Sequence, residues 1–350
     1  MLPDTEPRLF RRLFLDTLYR GPTPRETRSF RPAPTDRVVS HLLRRREMFE
    51  QWVEAELFYF LLLDRFRPAN EAVSDLTERL AGGQGSVRDA TAEILLSSGF
   101  SLRNPGNDTF VTVLLEQCLG FEVQSRKHAK TLEAGKKIYD GEAGDFLDQE
   151  ARTQADLVRI VLDRREFTAL TLDRHHRRLF EAPLLGEDRR GNPTEDEAAT
   201  ALIDRVHADW SEFFPVLGDW LTSESYASSV EEARPKTDRQ FVRSIFSDLC
   251  SRQPDYQELR NVRNAMQSMA DSSPLRSVIA TVLLNSDEAD LPDLSAGEEA
   301  EFVATCFERY LGREPSDQER QTFVSSIKEG RANRDLVVRT LVTSSEYQTY

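Results

Sequence analysis

A short phrase of sequence recurs along the whole chain. Residues 335–347 (DLVVRTLVTSSEY) match residues 36–48 (DRVVSHLLRRREM) at most of their apolar positions and at the glutamate near the end. Aligning on this phrase brings six apolar pairs into register, namely Leu42/Leu43, Ile94/Leu95, Val161/Leu162, Trp220/Leu221, Val282/Leu283 and Leu341/Val342. Repetition at such a period is typical of arrays of small structural units. We therefore predict six repeats, at residues 1–52, 53–104, 105–172, 173–233, 234–294 and 295–350.

A second phrase opens the repeats and predicts helices. Residues 302–315 (FVATCFERYLGREP) match residues 241–254 (FVRSIFSDLCSRQP) without a gap, and residues 9–22 (LFRRLFLDTLYRGP) fit the same frame. The apolar positions fall on one stripe of a helix and fit no strand. Arg20, Arg252 and Arg313 each stand two residues before a proline. Because the residue before proline is disfavoured in the α region, the proline marks the end of this first helix.

Capping boxes predict a second helix in four of the repeats. In such a box a hydroxyl or carboxylate accepts from the N3 amide, while the glutamate at N3 accepts from the cap amide. The candidate boxes are Thr23/Glu26, Thr194/Glu197, Asp255/Glu258 and Ser316/Glu319. A loop then leads to a third helix that carries the closing phrase. The expected fold is all-α, with about six degenerate three-helix repeats stacked as a solenoid or paired into helical domains.

The third and fourth repeats depart from this pattern. Arg126, Lys127, Lys130, Lys136 and Lys137 form a basic insert that is followed by an acidic stretch at residues 140–150. The fourth repeat holds the densest aromatic group, which we expect to fill a core: Trp210, Phe213, Phe214, Trp220 and Tyr226. Residues 233–238, 291–297 and 104–107 are the candidate hinges.

Composition and charge exclude several classes of function. A net charge of −14 argues against a broad surface for nucleic acid or an anionic membrane, since either needs a basic footprint. No apolar run approaches the roughly 18 residues of a membrane span. A cytoplasmic location follows if the N-terminus is native, and export as part of a larger assembly is the alternative.

Candidate catalytic and metal residues are scarce in the sequence. The cysteines Cys118, Cys250 and Cys306 are odd in number and are expected to be small buried hydrophobes. His175 and His176 are adjacent and so point to different sides of a helix, which is poor geometry for one metal ion. We expect no metal, no cofactor and no catalytic constellation.

The repeated phrases resemble a known type of domain. With Leu311, Gly312, Arg313 and Pro315 and the closing SSEY, the sixth repeat is similar to an all-helical bacterial domain of unknown function found in tandem in S-layer-like and secreted proteins. That domain in turn resembles the phycobilisome linker fold. The resemblance implies an assembly module and carries over no catalytic residue.

The expected function is therefore a non-enzymatic scaffold or adaptor that binds protein partners or assembles with itself. The basic insert, with Arg126, Lys127, Lys130, Lys136 and Lys137, is the candidate partner-binding site. An enzyme or small-molecule sensor with a site in the third and fourth repeats is the alternative. A deep pocket with convergent polar groups would favour that alternative.

Overall fold

The structure is a computed structural model, and it describes residues 6–62, 75–187, 193–230 and 232–349. The helices are α1 (Pro7–Leu18), α2 (Pro24–Phe30), α3 (Thr35–Leu43), α4 (Arg46–Leu61), α5 (Leu76–Ala81), α6 (Val87–Leu95), α7 (Ser98–Arg103), α8 (Gly106–Leu119), α9 (Ala129–Tyr139), α10 (Gln154–Leu162), α11 (Arg165–Phe180), α12 (Glu197–Ala208), α13 (Phe213–Leu221), α14 (Glu224–Ser229), α15 (Asp238–Cys250), α16 (Tyr256–Gln267), α17 (Ser273–Leu284), α18 (Glu299–Leu311), α19 (Asp317–Lys328), α20 (Arg334–Val342) and α21 (Ser345–Gln348), with a 3₁₀ turn at Trp210–Glu212.

The all-α class is confirmed. Within the described ranges the strands form two short antiparallel hairpins, β1 (Gly144–Phe146) with β2 (Gln149–Ala151) and β3 (Gly186–Glu187) with β4 (Pro193–Thr194). In the same ranges no helix has the length and hydrophobicity that a membrane crossing requires.

The chain divides into two compact units. Unit 1 comprises Met1–Leu43 and Trp220–Tyr350, and unit 2 comprises Arg44–Asp219. Unit 1 is thus built from two separate stretches of sequence. Its core includes Phe241, Phe307, Tyr310, Leu341 and Tyr347, all at most 3% exposed. The division into six repeats stays a prediction.

One local motif occurs three times in unit 1. The helices α1, α15 and α18 each end at a residue in the left-handed region, and the next residue is Arg20, Arg252 or Arg313. Each of these arginines makes a two-pronged contact with the glutamate six residues later, at 2.8 to 2.9 Å. That glutamate is also the N3 residue of the capping box that begins α2, α16 or α19. The helix–turn–helix corner is therefore fixed by the same arginine fork each time.

An aromatic ring completes this motif. The guanidinium of each arginine lies over the phenylalanine six residues before it, with Arg20 5.7 Å from Phe14 and Arg252 and Arg313 each 5.1 Å from the rings of Phe246 and Phe307. A guanidinium at this distance is attracted to the ring face. In the sequence pattern F-x5-R-x-P-x3-E, the arginine therefore contacts both the phenylalanine before the corner and the glutamate after it.

The closing phrases all lie at the ends of helices. The six apolar pairs occupy the last residues of α3, α6, α10, α13, α17 and α20. Leu42, Ile94, Val161 and Leu341 are at most 3% exposed, whereas Val282 is 62% exposed. The helix α17 buries Arg276, Ala280 and Leu284 instead, so its buried face is rotated relative to the aligned phrase.

Three expectations are wrong in their details. The capping box predicted at Thr194 and Glu197 does not form, because Thr194 pairs with Gly186 in the β3–β4 hairpin. Instead the side chain of Asp196 caps α12 by accepting from the Ala199 amide at 2.7 Å. The predicted hinge at residues 233–238 is fixed, since Lys236 is buried and its amide donates to the carbonyl of Gln348 at 2.9 Å.

The third error concerns the aromatic group, which does not form one core. Trp210 and Phe213 lie in unit 2, where their rings stack at 6.4 Å. Tyr226 belongs to unit 1 and is fully buried there. Sequence proximity suggested a shared core, but the division between the units falls inside α13.

Candidate functional site

The basic insert consists of a turn, which contains Arg126 and Lys127, and the helix α9, which packs against its neighbour. The helix α9 packs on α8, and Gly135 marks the point of closest approach. A Cβ atom at Gly135 would lie 2.6 Å from Val111 Cγ1 and 2.9 Å from Phe146 Cε2, so only glycine fits there. Ile138 and Phe146 are at most 1% exposed and close the rest of the contact. The insert is therefore a rigid platform in unit 2.

Four of the five predicted residues are exposed on this platform. The side chains of Arg126, Lys127, Lys130 and Lys137 are exposed, and none of them has a carboxylate within ion-pair distance in the described parts of the chain. Lys130 and Lys137 are seven residues apart, so they share one face of α9. Arg126 and Lys127 lie in the turn that precedes α9. We call these two residues, together with Lys130 and Lys137, the α9 basic face.

Lys136 does not belong to this face. Its ammonium nitrogen lies 2.9 Å from Glu133 and 3.1 Å from Asp108, and these hydrogen bonds raise its pKa. Lys136 therefore braces α9 against α8, where Asp108 is located. Of the five predicted residues, four are exposed without a described ion pair and Lys136 is paired, while the role of the segment in binding stays a prediction.

The position of Lys130 does not favour the helix itself. It lies in the first turn of α9, where the positive end of the helix dipole repels a cation, and His128 at the N-cap makes no side-chain cap hydrogen bond. Lys137 lies in the last turn, where a cation is favourable. The stability of α9 does not explain a lysine in the first turn.

The acidic stretch after α9 folds as the β1–β2 hairpin. Asp145, Asp148 and Glu150 are exposed on it, and Phe146 turns inward. The two turn residues, Leu147 and Asp148, have φ of 52° and 67°. A two-residue turn with both φ values positive normally requires asparagine and glycine. The sequence did not predict this hairpin, because its turn lacks that signature.

A buried polar network in unit 1 was not predicted. Arg11 pairs with Asp248 at 2.6 Å, and the Tyr347 hydroxyl donates to the same Asp248 carboxylate at 2.7 Å. Both partners of the ion pair are at most 7% exposed. The only signal in the sequence was a charged residue on an otherwise apolar helix, and such a residue is usually assigned to the surface.

The same arrangement occurs a second time in unit 1. Arg12 donates to Asp16 Oδ2 at 2.8 Å, and the Tyr226 hydroxyl donates to that same oxygen at 2.8 Å. Asp16 and Asp248 occupy equivalent positions, each four residues before the arginine of a corner motif. Two tyrosines that end closing phrases therefore bond to two equivalent aspartates.

Unit 2 contains one buried histidine beside a carboxylate. His175 Nε2 lies 3.7 Å from Glu56 Oε1, and Arg174 donates to the other oxygen of Glu56 at 2.8 Å. Burial lowers the pKa of His175 to about 4. Burial alone would raise the pKa of Glu56, but the charge of Arg174 and the contact with His175 lower it to about 2. At neutral pH the site is a neutral imidazole beside an ionised, paired carboxylate.

The neighbouring His176 is directed elsewhere. It is half-buried, and its Nδ1 lies 2.8 Å from the carbonyl of Ala182. In the residues that the structure describes, no group of three or more histidine, cysteine, aspartate or glutamate side chains is arranged to hold a metal ion. Cys118 and Cys306 are buried and Cys250 is half-buried, so the expectation for the cysteines holds fully at two of them.

No family model, curated protein or solved structure matches the chain. The resemblance to the tandem bacterial domain therefore stays a prediction.

Proposed function

We propose that this protein is a non-enzymatic adaptor and that the α9 basic face binds an acidic surface on a partner protein. One observation supports the proposal: four exposed basic side chains without ion-pair partners in the described structure lie on α9 and the turn before it, in a chain of net charge −14. Three of the six lysines of the chain lie on this face, and a fourth braces it.

The rigidity of the platform supports a binding role. Because α9 is already folded and packed, binding requires ordering of the four long side chains but not of the backbone. A positive face on an acidic protein also attracts an acidic partner while the rest of the surface repels it, which favours one orientation of docking. Such a contact weakens as salt rises, since exposed charges are screened within about 8 Å at physiological ionic strength.

A defined acidic probe tests this proposal. Binding of a fluorescent 20-residue polyglutamate would be measured by anisotropy at low and at high salt. The test variant reverses Arg126, Lys127, Lys130 and Lys137 to glutamate. The control variant reverses four arginines of unit 1 that are also exposed and make no described ion pair, Arg25, Arg28, Arg37 and Arg260. The two variants change the net charge equally.

The proposal expects salt-sensitive binding that the test variant loses and the control retains, with unchanged helical content in both. Equal losses in both variants would mean that total charge alone governs binding and would contradict the proposal. Sedimentation at low salt identifies the class of partner. A dimer that disappears only in the test variant would make the acidic partner a second copy of this chain.

A further inference from the structure

A cavity of about 140 Å³ lies within unit 1, apart from the α9 basic face. The helix α1 contributes Arg8, Arg11, Arg12 and Leu15 to its wall, and α18 contributes Tyr310 and Leu311. A dry apolar cavity of similar volume admits a ring the size of benzene, so this space suits a small organic molecule. The wall combines guanidinium groups with aliphatic side chains.

Two of the arginines in the wall are already neutralised. Arg11 pairs with Asp248 at 2.6 Å and Arg12 pairs with Asp16 at 2.8 Å, and both guanidinium groups are buried and fixed in position. Glu346, the carboxylate in the lining, pairs with Arg313 at 2.5 Å. The wall therefore has a set of rigid donors whose charges are balanced.

Arg8 is different, because its side chain is exposed and has no ion-pair partner among the described residues. It supplies one uncompensated positive charge to the lining. One such charge matches a monoanion better than a dianion, since a second negative charge would remain unpaired at a partly buried site.

The inner wall also contains a donor without an acceptor. Tyr310 is fully buried, and its hydroxyl has no hydrogen-bond partner in the described structure. Burial raises the pKa of Tyr310 far above its ordinary range, so the hydroxyl keeps its proton and remains a donor. A buried donor left unpaired is unfavourable, and an acceptor oxygen of a ligand in the cavity would satisfy it.

We propose that this cavity binds a small organic monocarboxylate. The carboxylate is held by Arg8 and by the Tyr310 hydroxyl, and the apolar body lies against Leu15 and Leu311. The aliphatic wall distinguishes such a ligand from inorganic phosphate, which has no apolar body to bury. The proposal is independent of the adaptor function, because its residues lie in unit 1 and the α9 basic face lies in unit 2.

Calorimetric titration of the full chain with benzoate tests the site. The proposal expects saturable binding of one benzoate per chain, with benzamide, the neutral isostere, weaker by roughly tenfold, which corresponds to about 1.4 kcal/mol. Inorganic phosphate should bind more weakly than benzoate. Equal binding of benzamide, or phosphate binding as tight as benzoate, would overturn the assignment to a monocarboxylate.

Two variants locate the binding at the cavity. Arg8→Gln removes the uncompensated charge and should weaken benzoate binding several-fold, while Arg25→Gln, an exposed arginine outside the cavity, should leave it unchanged. Ala233→Trp places a large ring at an exposed position of the lining and should block entry without disturbing the core. Retained benzoate affinity in both Arg8→Gln and Ala233→Trp, or no benzoate binding by the unmodified chain, would overturn the proposal.

Discussion

The Tyr347 hydroxyl donates a 2.7 Å hydrogen bond to Asp248, 99 residues earlier in the chain. The same carboxylate accepts two hydrogen bonds from Arg11, 237 residues earlier again. Burial and the charge of Asp248 raise the pKa of Tyr347 well above its ordinary value, so the hydroxyl remains a donor at all physiological pH values. Three distant parts of the sequence thus meet at one buried carboxylate.

Removing this hydroxyl should destabilise unit 1. Tyr347→Phe keeps the ring and deletes one hydrogen bond to a buried charge, for which we expect a loss of about 1.5–3 kcal/mol in the free energy of unfolding. Urea denaturation measures this loss. Tyr139→Phe is the control, because Tyr139 makes a ring contact with Phe110 but no described hydroxyl bond, and it should change stability by less than about 0.5 kcal/mol. A larger effect in the control would contradict our assignment of the network.

The three corner motifs should differ in their sensitivity to lysine. The side chain of Arg20 is 4% exposed and that of Arg252 is 37% exposed, although both make the same two-pronged ion pair with their glutamates. Lysine keeps the charge but loses the fork. Arg20→Lys should therefore cost about 1–3 kcal/mol of unfolding free energy, as a damaged buried pair does, and Arg252→Lys less than about 1 kcal/mol. Thermal unfolding of the two variants measures both losses. A larger loss in Arg252→Lys than in Arg20→Lys would show that burial does not determine the strength of this ion pair.

The stability of unit 2 should fall in mildly acidic solution. The pKa of His175 in the folded state is about 4, below its ordinary value of 6.5, so the unfolded chain binds more protons between these two pH values. Stability is then complete above pH 6.5 and decreases as pH falls towards 4, by up to about 3 kcal/mol. Glu56 keeps its charge across this window, since its pKa is about 2.

Denaturation followed by the fluorescence of Trp52 and Trp210, which lie in unit 2, reports this change. His175→Gln should remove most of the loss between pH 6.5 and 4, and His176→Gln, at the half-buried neighbouring position, should preserve it. If both variants retain the same dependence on pH as the original chain, another group controls it.

The turn between β1 and β2 offers a stabilising change. Leu147 and Asp148 both adopt positive φ, a conformation that costs a non-glycine residue about 1–2 kcal/mol, less for aspartate. The double variant that combines Leu147→Asn with Asp148→Gly should raise the stability of unit 2 by about 1 kcal/mol, because asparagine followed by glycine suits this type of turn. Asp148→Val, with a β-branched side chain at the same position, should have the opposite sign. Thermal unfolding of both variants checks the prediction, and a stable valine variant would mean that the turn has another conformation.

Local features of the fold could be predicted from the sequence because local chemistry fixes them. Proline after a helix and the caps at Thr23, Asp255 and Ser316 act over a few residues, and all three caps are present. The cap predicted at Thr194 does not form, because Thr194 pairs in a hairpin and Asp196 is an equally good N-cap residue. Helix ends therefore follow from nearby residues, except where two nearby groups compete for the same cap.

Features that depend on distant residues could not be predicted in the same way. The basic residues of α9 were visible in the sequence, but the pairing of Lys136 with Asp108 depends on how α9 packs against α8. The carboxylate of Asp248 accepts hydrogen bonds from Arg11 and Tyr347. The residues next to Arg11 and Tyr347 in the sequence give no sign of this shared partner. The cavity depends on α1 and α18, which are almost 300 residues apart, as the 298-residue separation of Arg11 from the Arg309 carbonyl shows.

The divided sequence of unit 1 sets an order of folding during synthesis. At about 5–20 residues per second, Arg11 is synthesised between about 12 and about 47 s before Asp248, its partner in the buried ion pair. Unit 2 is complete in sequence before α15 is made, whereas α1 packs on both α3, made soon after it, and the much later α15. During most of translation α1 therefore lacks the contacts that Arg11 makes with Asp248 and with the Arg309 carbonyl in the finished protein.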